Sequence, residues 1–149
     1  MALLTSYAMK NKEYQKITKT TKYVLKTNMN TYSWTNKNKL LKLYKYTTGG
    51  KTGYTKIAKR TLVTTASKNN INLVVVTLND GDDWNDHIEL FEYGFNKYKK
   101  YKILKKGSIE VPDTHYKNYN YYIKNDFSYL LDNIEKDNII IKFKIEKNK

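Results

Sequence analysis

Gly49-Gly50-Lys51-Thr52-Gly53-Tyr54-Thr55 compresses a cation, three hydroxyls and three glycines into seven residues. Lys56 to Ala66 then mixes Thr, Val, Leu and Ile with polar residues in a strand-like way, so Lys51 is expected to open a β-strand. Gly49-Gly50 is read as the turn that redirects the chain into it. A lysine at the head of a row of backbone N–H groups is an anion-handling arrangement. A phosphate loop is excluded on two counts: the leading glycine of G-x-x-x-x-G-K-[ST] would fall on Lys45, and a β-like run rather than a helix follows Thr52. Lys-Thr-Gly alone carries little information, and taken by itself it is better explained by a Gly-Gly turn before an ordinary strand with an exposed lysine.

Working outward, a second strand is expected over Ile71–Leu78, joined to a first over 51–66 by a tight antiparallel turn at Lys68-Asn69-Asn70. Leu73-Val74-Val75-Val76 is apolar on both alternations, so this strand is expected to be covered on both faces, as helices on either side of an antiparallel sheet would do. Asp80-Gly81-Asp82-Asp83 offers turn and N-cap chemistry. Beyond it Trp84, Ile88, Phe91, Phe95 and Tyr98 recur at helical spacing and read as a core face.

Upstream, Met1–Met9 suits a helix that starts without a capping residue, as an internal start or truncation would leave it. A short helix is expected over 12–19 and an extended connector over Lys22–Thr27. Trp34, embedded in polar sequence, is read as a lid over the core in preference to a substrate-stacking residue. Leu40, Leu41 and Leu43 supply a hydrophobic anchor before the glycines. After residue 100 short β-like pieces are expected at Tyr101–Lys105, Ile109–Pro112, Tyr119–Ile123 and Asn138–Ile145, the last from the alternation of Ile139, Ile141, Phe143 and Ile145.

An ordered set of motifs resembles one family. Gly50-Lys51-Thr52-Gly53-Tyr54-Thr55, Arg60-Thr61-Leu62-Val63-Thr64-Thr65-Ala66 and Asn72-Leu73-Val74-Val75-Val76-Thr77-Leu78 are similar to segments of the low-molecular-weight penicillin-binding proteins. Within that group they resemble the serine D-alanyl-D-alanine carboxypeptidases. Trp34-Thr35-Asn36-Lys37-Asn38-Lys39-Leu40-Leu41 upstream, and Asp83-Trp84-Asn85-Asp86-His87 with Phe91-Glu92-Tyr93-Gly94-Phe95 downstream, look like further landmarks in the same order. The likeness spans roughly residues 1 to 110.

It implies an α+β fold: an antiparallel sheet flanked by helices, part of a penicillin-binding transpeptidase-like domain, over residues 1–100. The start of a small β-rich domain over 101–149 would follow. It also implies acyl transfer, in which a serine activated by a lysine attacks the bond between two terminal D-alanines of a peptidoglycan stem peptide. In such a site Lys51 would stabilise negative charge, Thr52 and Thr55 would hydrogen-bond the terminal carboxylate, and Gly53 would let substrate backbone approach as an added strand. The backbone N–H of Tyr54 would be the second donor of the oxyanion hole. Implied partners are stem peptides ending in D-Ala-D-Ala and β-lactams, with an extracytoplasmic location and no cofactor. Two N-terminal strands of the family's sheet have no counterpart in these residues, so one strand is expected to carry an unpaired edge.

The reactive half of that site has no match. The residue three places after Ser6, Ser33, Ser67, Ser108 and Ser128 is Met9, Asn36, Asn70, Val111 and Leu131, so the nucleophile motif Ser-x-x-Lys does not occur. Ser67-Lys68-Asn69 imitates the second motif, Ser-x-Asn, but follows Lys-Thr-Gly and falls in a turn; Tyr116-Lys117-Asn118 is likewise misplaced. No catalytic residue is therefore assigned, and the chain alone is expected to be inactive. The alternative is a non-catalytic protein that binds cell-wall peptide or a polyanion.

Charge bears on that alternative. Lys and Arg number 28 against 14 Asp and Glu, a net +14. The lysines are scattered among Asn and Tyr rather than blocked together, which favours a solvated surface over nucleic-acid binding. Cysteine is absent, so disulfides and thiolate metal sites are excluded. Neither a signal peptide nor a spanning apolar run occurs in these residues, so membrane attachment is not encoded in them. The Asp80 cluster has Asn85 where a calcium loop needs glycine, and no metal site is assigned. His87 and His115 are read as surface histidines.

Overall fold

Asn69 and Asn70 both adopt positive φ, 52° and 61°, and close a two-residue turn between Lys68 and Ile71. This is the twist-matched geometry in which short polar side chains tolerate left-handed backbone, and the expected antiparallel connection forms there. The computed structural model describes residues 1–111 and 120–143. It places the turn between β4 (Lys59–Lys68) and β5 (Ile71–Leu78) of an antiparallel sheet ordered β3-β4-β5. Two compact units divide the chain, Met1–Asn96 and Lys97–Lys149, and the sheet belongs to the first.

The single strand expected over 51–66 is in fact a hairpin. β3 runs from Thr47 to Thr55 and turns back through residues 56–58 into β4. The hydroxyl of Thr55 accepts the N–H of Ala58 at 2.9 Å and Lys59 takes φ 56°. Neither glycine nor proline marks the reversal. Gly49-Gly50, expected as a turn, lies inside β3. Gly50 has φ 147°, and a Cβ there would collide with the Val63 carbonyl oxygen and come within 2.9 Å of Thr64 Cα. The glycines therefore serve close strand-to-strand passage at an irregular register between Thr47 and Gly49.

The helix α4 (Asp83–Lys97) lays Trp84, Ile88, Phe91 and Phe95 on the face of the sheet that carries Leu62, Ala66, Leu73 and Val75. Phe91, Leu62 and Leu40, the last from the short helix α3 (Leu40–Leu43), are completely buried. Tyr44 stacks on Phe91 at 5.7 Å between ring centres. Gly94 brings the helix down onto Leu73, whose Cδ1 would lie 2.7 Å from an added Cβ. Of the three leucines expected to anchor this region, Leu43 stays 60% exposed. α1 (Ala2–Ala8) contacts β5 and α2 (Lys12–Lys19) contacts β3, so helices attend the sheet as expected. α1 has no side-chain cap, whereas Asn11 caps α2 by accepting the N–H groups of Glu13 and Tyr14 at 2.9 and 3.1 Å. Among the described residues β5 has no partner on its outer edge.

The connector expected over 22–27 is a strand, β1 (Lys22–Lys26), paired with β2 (Thr31–Thr35). Every residue of the pair is exposed, and Trp34 is no lid: it is 52% exposed and packs on Tyr23 and Tyr32, with ring centres 6.1 and 5.7 Å away. A cross-strand partner, Tyr23, and a same-strand neighbour, Tyr32, pack the ring locally, and the sequence spacing of 23 and 34 conceals the first.

The second unit pairs β6 (Lys99–Leu104) with β9 (Phe127–Leu131), and β7 (Gly107–Ile109) with β8 (Tyr121–Ile123). α5 (Asn133–Asp137) follows, closed by a reciprocal capping box between Asp132 and Glu135. The strand expected over 138–145 is not formed at 138–143, which carry no helix or strand. Alternation there finds no ladder partner, and β9, a stretch for which no strand was expected, takes the place beside β6. Pro112, His115, Tyr116-Lys117-Asn118, Tyr119 and Ile145 lie outside the described residues.

Candidate functional site

β3 is an outer strand of its sheet, and residues Lys51 to Tyr54 form one wall of a cleft completed by Lys37, Lys39, Arg60, Thr61, Asp83 and Trp84. Its volume, about 620 Å³, falls in the roughly 300–1,000 Å³ range of small-ligand sites. Register explains the composition of this wall: Lys51 pairs with Val63, Thr52 with Leu62, Gly53 with Thr61 and Tyr54 with Arg60. Alternating side chains of β3 thus follow those of β4 on each face.

Lys51 is exposed, and its Nζ donates to the Thr52 carbonyl oxygen. Among the described residues no carboxylate lies within ion-pair distance of it. Gly53 has a packing reason on the β4 side, since a Cβ would strike the Thr61 hydroxyl. Thr55 does not line the cleft; its oxygen accepts the Ala58 N–H of the following turn. Four of the five sequence-derived positions are therefore together in the cleft, Lys51, Thr52, Gly53 and Tyr54, and Thr55 stands at the strand's end.

An ion pair that sequence reasoning missed faces this wall. Arg60 Nε donates to Asp83 Oδ2 at 3.1 Å and its Nη2 donates to Oδ1, a fork-on-fork contact. Asp83 is 3% exposed, and the Arg60 guanidinium lies 5.6 Å from the Trp84 ring centre. The pair is 23 residues apart in sequence, so only the register of β4 against α4 brings it together.

His87 corrects the surface reading. It is completely buried, with Nδ1 2.6 Å from the Thr64 hydroxyl and Nε2 3.1 Å from that of Thr77. Burial pushes its pKa down to about 4, against the opposing pull of Asp83 and Asp80, so the ring is neutral at neutral pH. The missed signal was spacing: Asp83, His87 and Phe91 follow one another at four residues and share the buried stripe of α4.

The Ser-x-Asn look-alike sits elsewhere. Ser67 and Lys68 end β4 at the turn to β5, and Lys68 donates to Glu92 at 2.9 Å while Tyr44 donates to the same carboxylate at 2.6 Å. Those donors hold Glu92 below the usual carboxylate range, with the Tyr44 hydrogen bond the larger influence. Among the described residues no cluster of three or more His, Cys, Asp or Glu side chains is placed to hold a metal.

A family model described as D-alanyl-D-alanine carboxypeptidase matches residues 1–82. Among solved structures, a penicillin-binding protein homolog from Mycobacterium tuberculosis is similar over 60% of this chain and 36% of its own, at 27% identity and a TM-score of 0.56. A D-alanyl-D-alanine carboxypeptidase from the same organism covers the same shares at 28% identity and a TM-score of 0.55. A point mutant of a Streptomyces DD-transpeptidase is 31% identical over 61% of this chain and 38% of its own, with a TM-score of 0.57. The chain thus spans less than two fifths of the length of these structures. No curated protein matches the sequence. With more than half of its residues matched and an α+β fold shared with these structures, the chain belongs to the D-alanyl-D-alanine carboxypeptidase family.

Proposed function

We propose that this chain is the substrate-holding part of a serine D-Ala-D-Ala carboxypeptidase acting on peptidoglycan stem peptides. The observation that carries the reading is the outer position of β3, with Lys51 to Tyr54 along an open cleft. A peptide ending in D-Ala-D-Ala adds to this strand, its backbone bonding to the edge and its carboxylate meeting Lys51 and the hydroxyl of Thr52. The Tyr54 N–H is the donor for negative charge developing on the scissile carbonyl, a contribution of about 3 to 4 kcal/mol where one such donor has been removed. In the complete reaction a serine oxygen adds to that carbonyl, the terminal D-Ala departs, and water releases the acyl group.

These 149 residues contain no Ser-x-x-Lys. Their own chemistry is accordingly binding and charge stabilisation, without a covalent step. β-Lactams, as analogues of the terminal dipeptide, would occupy the cleft without being opened. The residues from about 101 onward are the start of a small β-rich domain, and the setting is the outer face of the cell envelope. Among the described residues no helix is long and apolar enough to cross a membrane. The absence of Ser-x-x-Lys also favours a second reading, a binding module that recognises cell-wall peptide and never cleaves it.

Calorimetric titration with a synthetic peptide ending in D-Ala-D-Ala tests the proposal. Binding is expected, weakened about tenfold or more by Lys51→Ala, roughly 1.4 kcal/mol or above, and penicillin treatment leaves the intact mass unchanged. Binding indifferent to Lys51→Ala, or a stable penicillin adduct, contradicts it.

A further inference from the structure

The cleft beside β3 is far more basic than one terminal carboxylate requires. Four cations line it, Lys37, Lys39, Lys51 and Arg60, against the single carboxylate of Asp83. Asp83 is already engaged by Arg60 and buried beneath it. Among the described residues the ion pairs include no partner for Lys37, Lys39 or Lys51. Three positive charges therefore face the cleft uncompensated.

Two of them stand on a rim that is held in place. The Asn36 side-chain amide donates to the carbonyl oxygens of Thr18 and Thr20, at 3.4 and 2.9 Å. Its oxygen accepts the Asn38 N–H at 2.9 Å, and the Asn38 side-chain oxygen accepts the Leu40 N–H at 3.1 Å. Asn38 and Leu40 are 2% and 0% exposed. The inward residues of Asn36-Lys37-Asn38-Lys39-Leu40 are thus fixed by hydrogen bonds and burial, and both intervening lysines are turned to solvent. Lys39 Nζ lies 6.0 Å from the centre of the Trp84 ring that also supports Arg60. A rim pinned at alternate residues has its backbone already in place, so binding has only the two lysine stems left to order there.

We infer that the cleft selects peptides carrying a second carboxylate, on a side chain within a few residues of the terminal one, and that Lys37 and Lys39 receive it. The inference rests on the reading of this cleft as the peptide site. A ligand with one carboxylate leaves like charges crowded at the rim, whereas a ligand with two relieves that repulsion and gains charge-assisted hydrogen bonds. Lys37 and Lys39 are on this account specificity-determining residues, and the acidic side chain is the feature they read.

Two synthetic peptides ending in D-Ala-D-Ala test this. They are identical except that one residue upstream of the terminus carries a free carboxylate in the first and its carboxamide in the second. Titrated into the full chain at low salt, the acidic peptide is expected to bind about five- to tenfold more tightly, a preference that shrinks as salt is raised. In a Lys37→Gln, Lys39→Gln double variant the two peptides should bind alike. Equal affinities for the unaltered chain, or a preference that survives the double variant, overturn the inference while leaving the peptide site intact. Failure of both peptides to bind overturns the site and the inference together. Equally tight binding of a polyphosphate oligomer lacking D-Ala would replace selection of peptides with general polyanion affinity.

Discussion

The two units of this chain draw on the same vocabulary of lysine, tyrosine, asparagine and isoleucine, yet bury it very differently. In Met1–Asn96 a completely buried Phe91, Leu40 and Leu62 organise the packing between α4 and the three-stranded sheet. In Lys97–Lys149 no described residue is fully buried, and the two ladders are two-stranded. The difference teaches that strand pairing is not what makes the first unit a scaffold: a sheet becomes rigid enough to hold a cleft when a helix closes one of its faces. The family match, over residues 1–82, falls within that unit.

The comparison is most easily broken at Phe91. Phe91→Ala should destabilise the chain by about 3 to 5 kcal/mol in denaturant titration, since the cavity would open in the packed layer between α4 and the sheet. A loss below about 1 kcal/mol would show that the buried stripe of α4 does not carry the first unit.

A second test uses the buried imidazole. Unfolded, His87 titrates near its ordinary 6.5; folded, it is held at about 4 by burial among Thr64, Thr77 and the α4 stripe. Between those values the unfolded chain takes up a proton that the folded one refuses. Stability is therefore full above pH 6.5 and falls as pH drops towards 4, by about 3 kcal/mol in all. His87→Gln should remove this component of the pH dependence, measured as the difference between the two proteins' unfolding midpoints. Parallel curves for the two proteins would contradict it.

Gly50→Ala sharpens the contrast between strand and turn. The positive φ and the collision with Val63 predict a loss of about 2 kcal/mol and broadened amide signals along β3 and β4. A change within about 0.5 kcal/mol would mean that β3 can shift away from β4 at little cost. The smallest effect belongs to the second unit: Phe127→Ala, at a ring 51% exposed, should cost less than about 1 kcal/mol. A loss matching that of Phe91→Ala would erase the distinction between the units.

Much of the first unit was legible because its signals are local. Two asparagines able to take left-handed backbone marked the β4–β5 turn, and Trp84, Ile88, Phe91 and Phe95 repeat at the period of a helix. The reversal at 56–58 was hidden because a threonine hydroxyl and a left-handed lysine perform it, residues that read equally well as strand. Gly49-Gly50 looked like a turn because glycine permits both a turn and a close passage, and only the partner strand distinguishes them. Arg60 with Asp83, and His87 with Thr64 and Thr77, depend on the register of a strand against a helix that no linear spacing reports. In the second unit alternation misled at 138–143, because periodicity marks a strand only where a partner waits beside it.

The central claim is that the edge of β3 from Lys51 to Tyr54 receives a peptide terminus. Titrating an isotope-labelled chain with a D-Ala-D-Ala peptide and following backbone amide shifts tests it most directly. The account predicts saturable shifts at Thr52, Gly53 and Tyr54 and at the Lys37–Lys39 rim, with the amides of 99–111 undisturbed. Shifts confined to other surfaces, or none at concentrations where calorimetry registers binding, would contradict it.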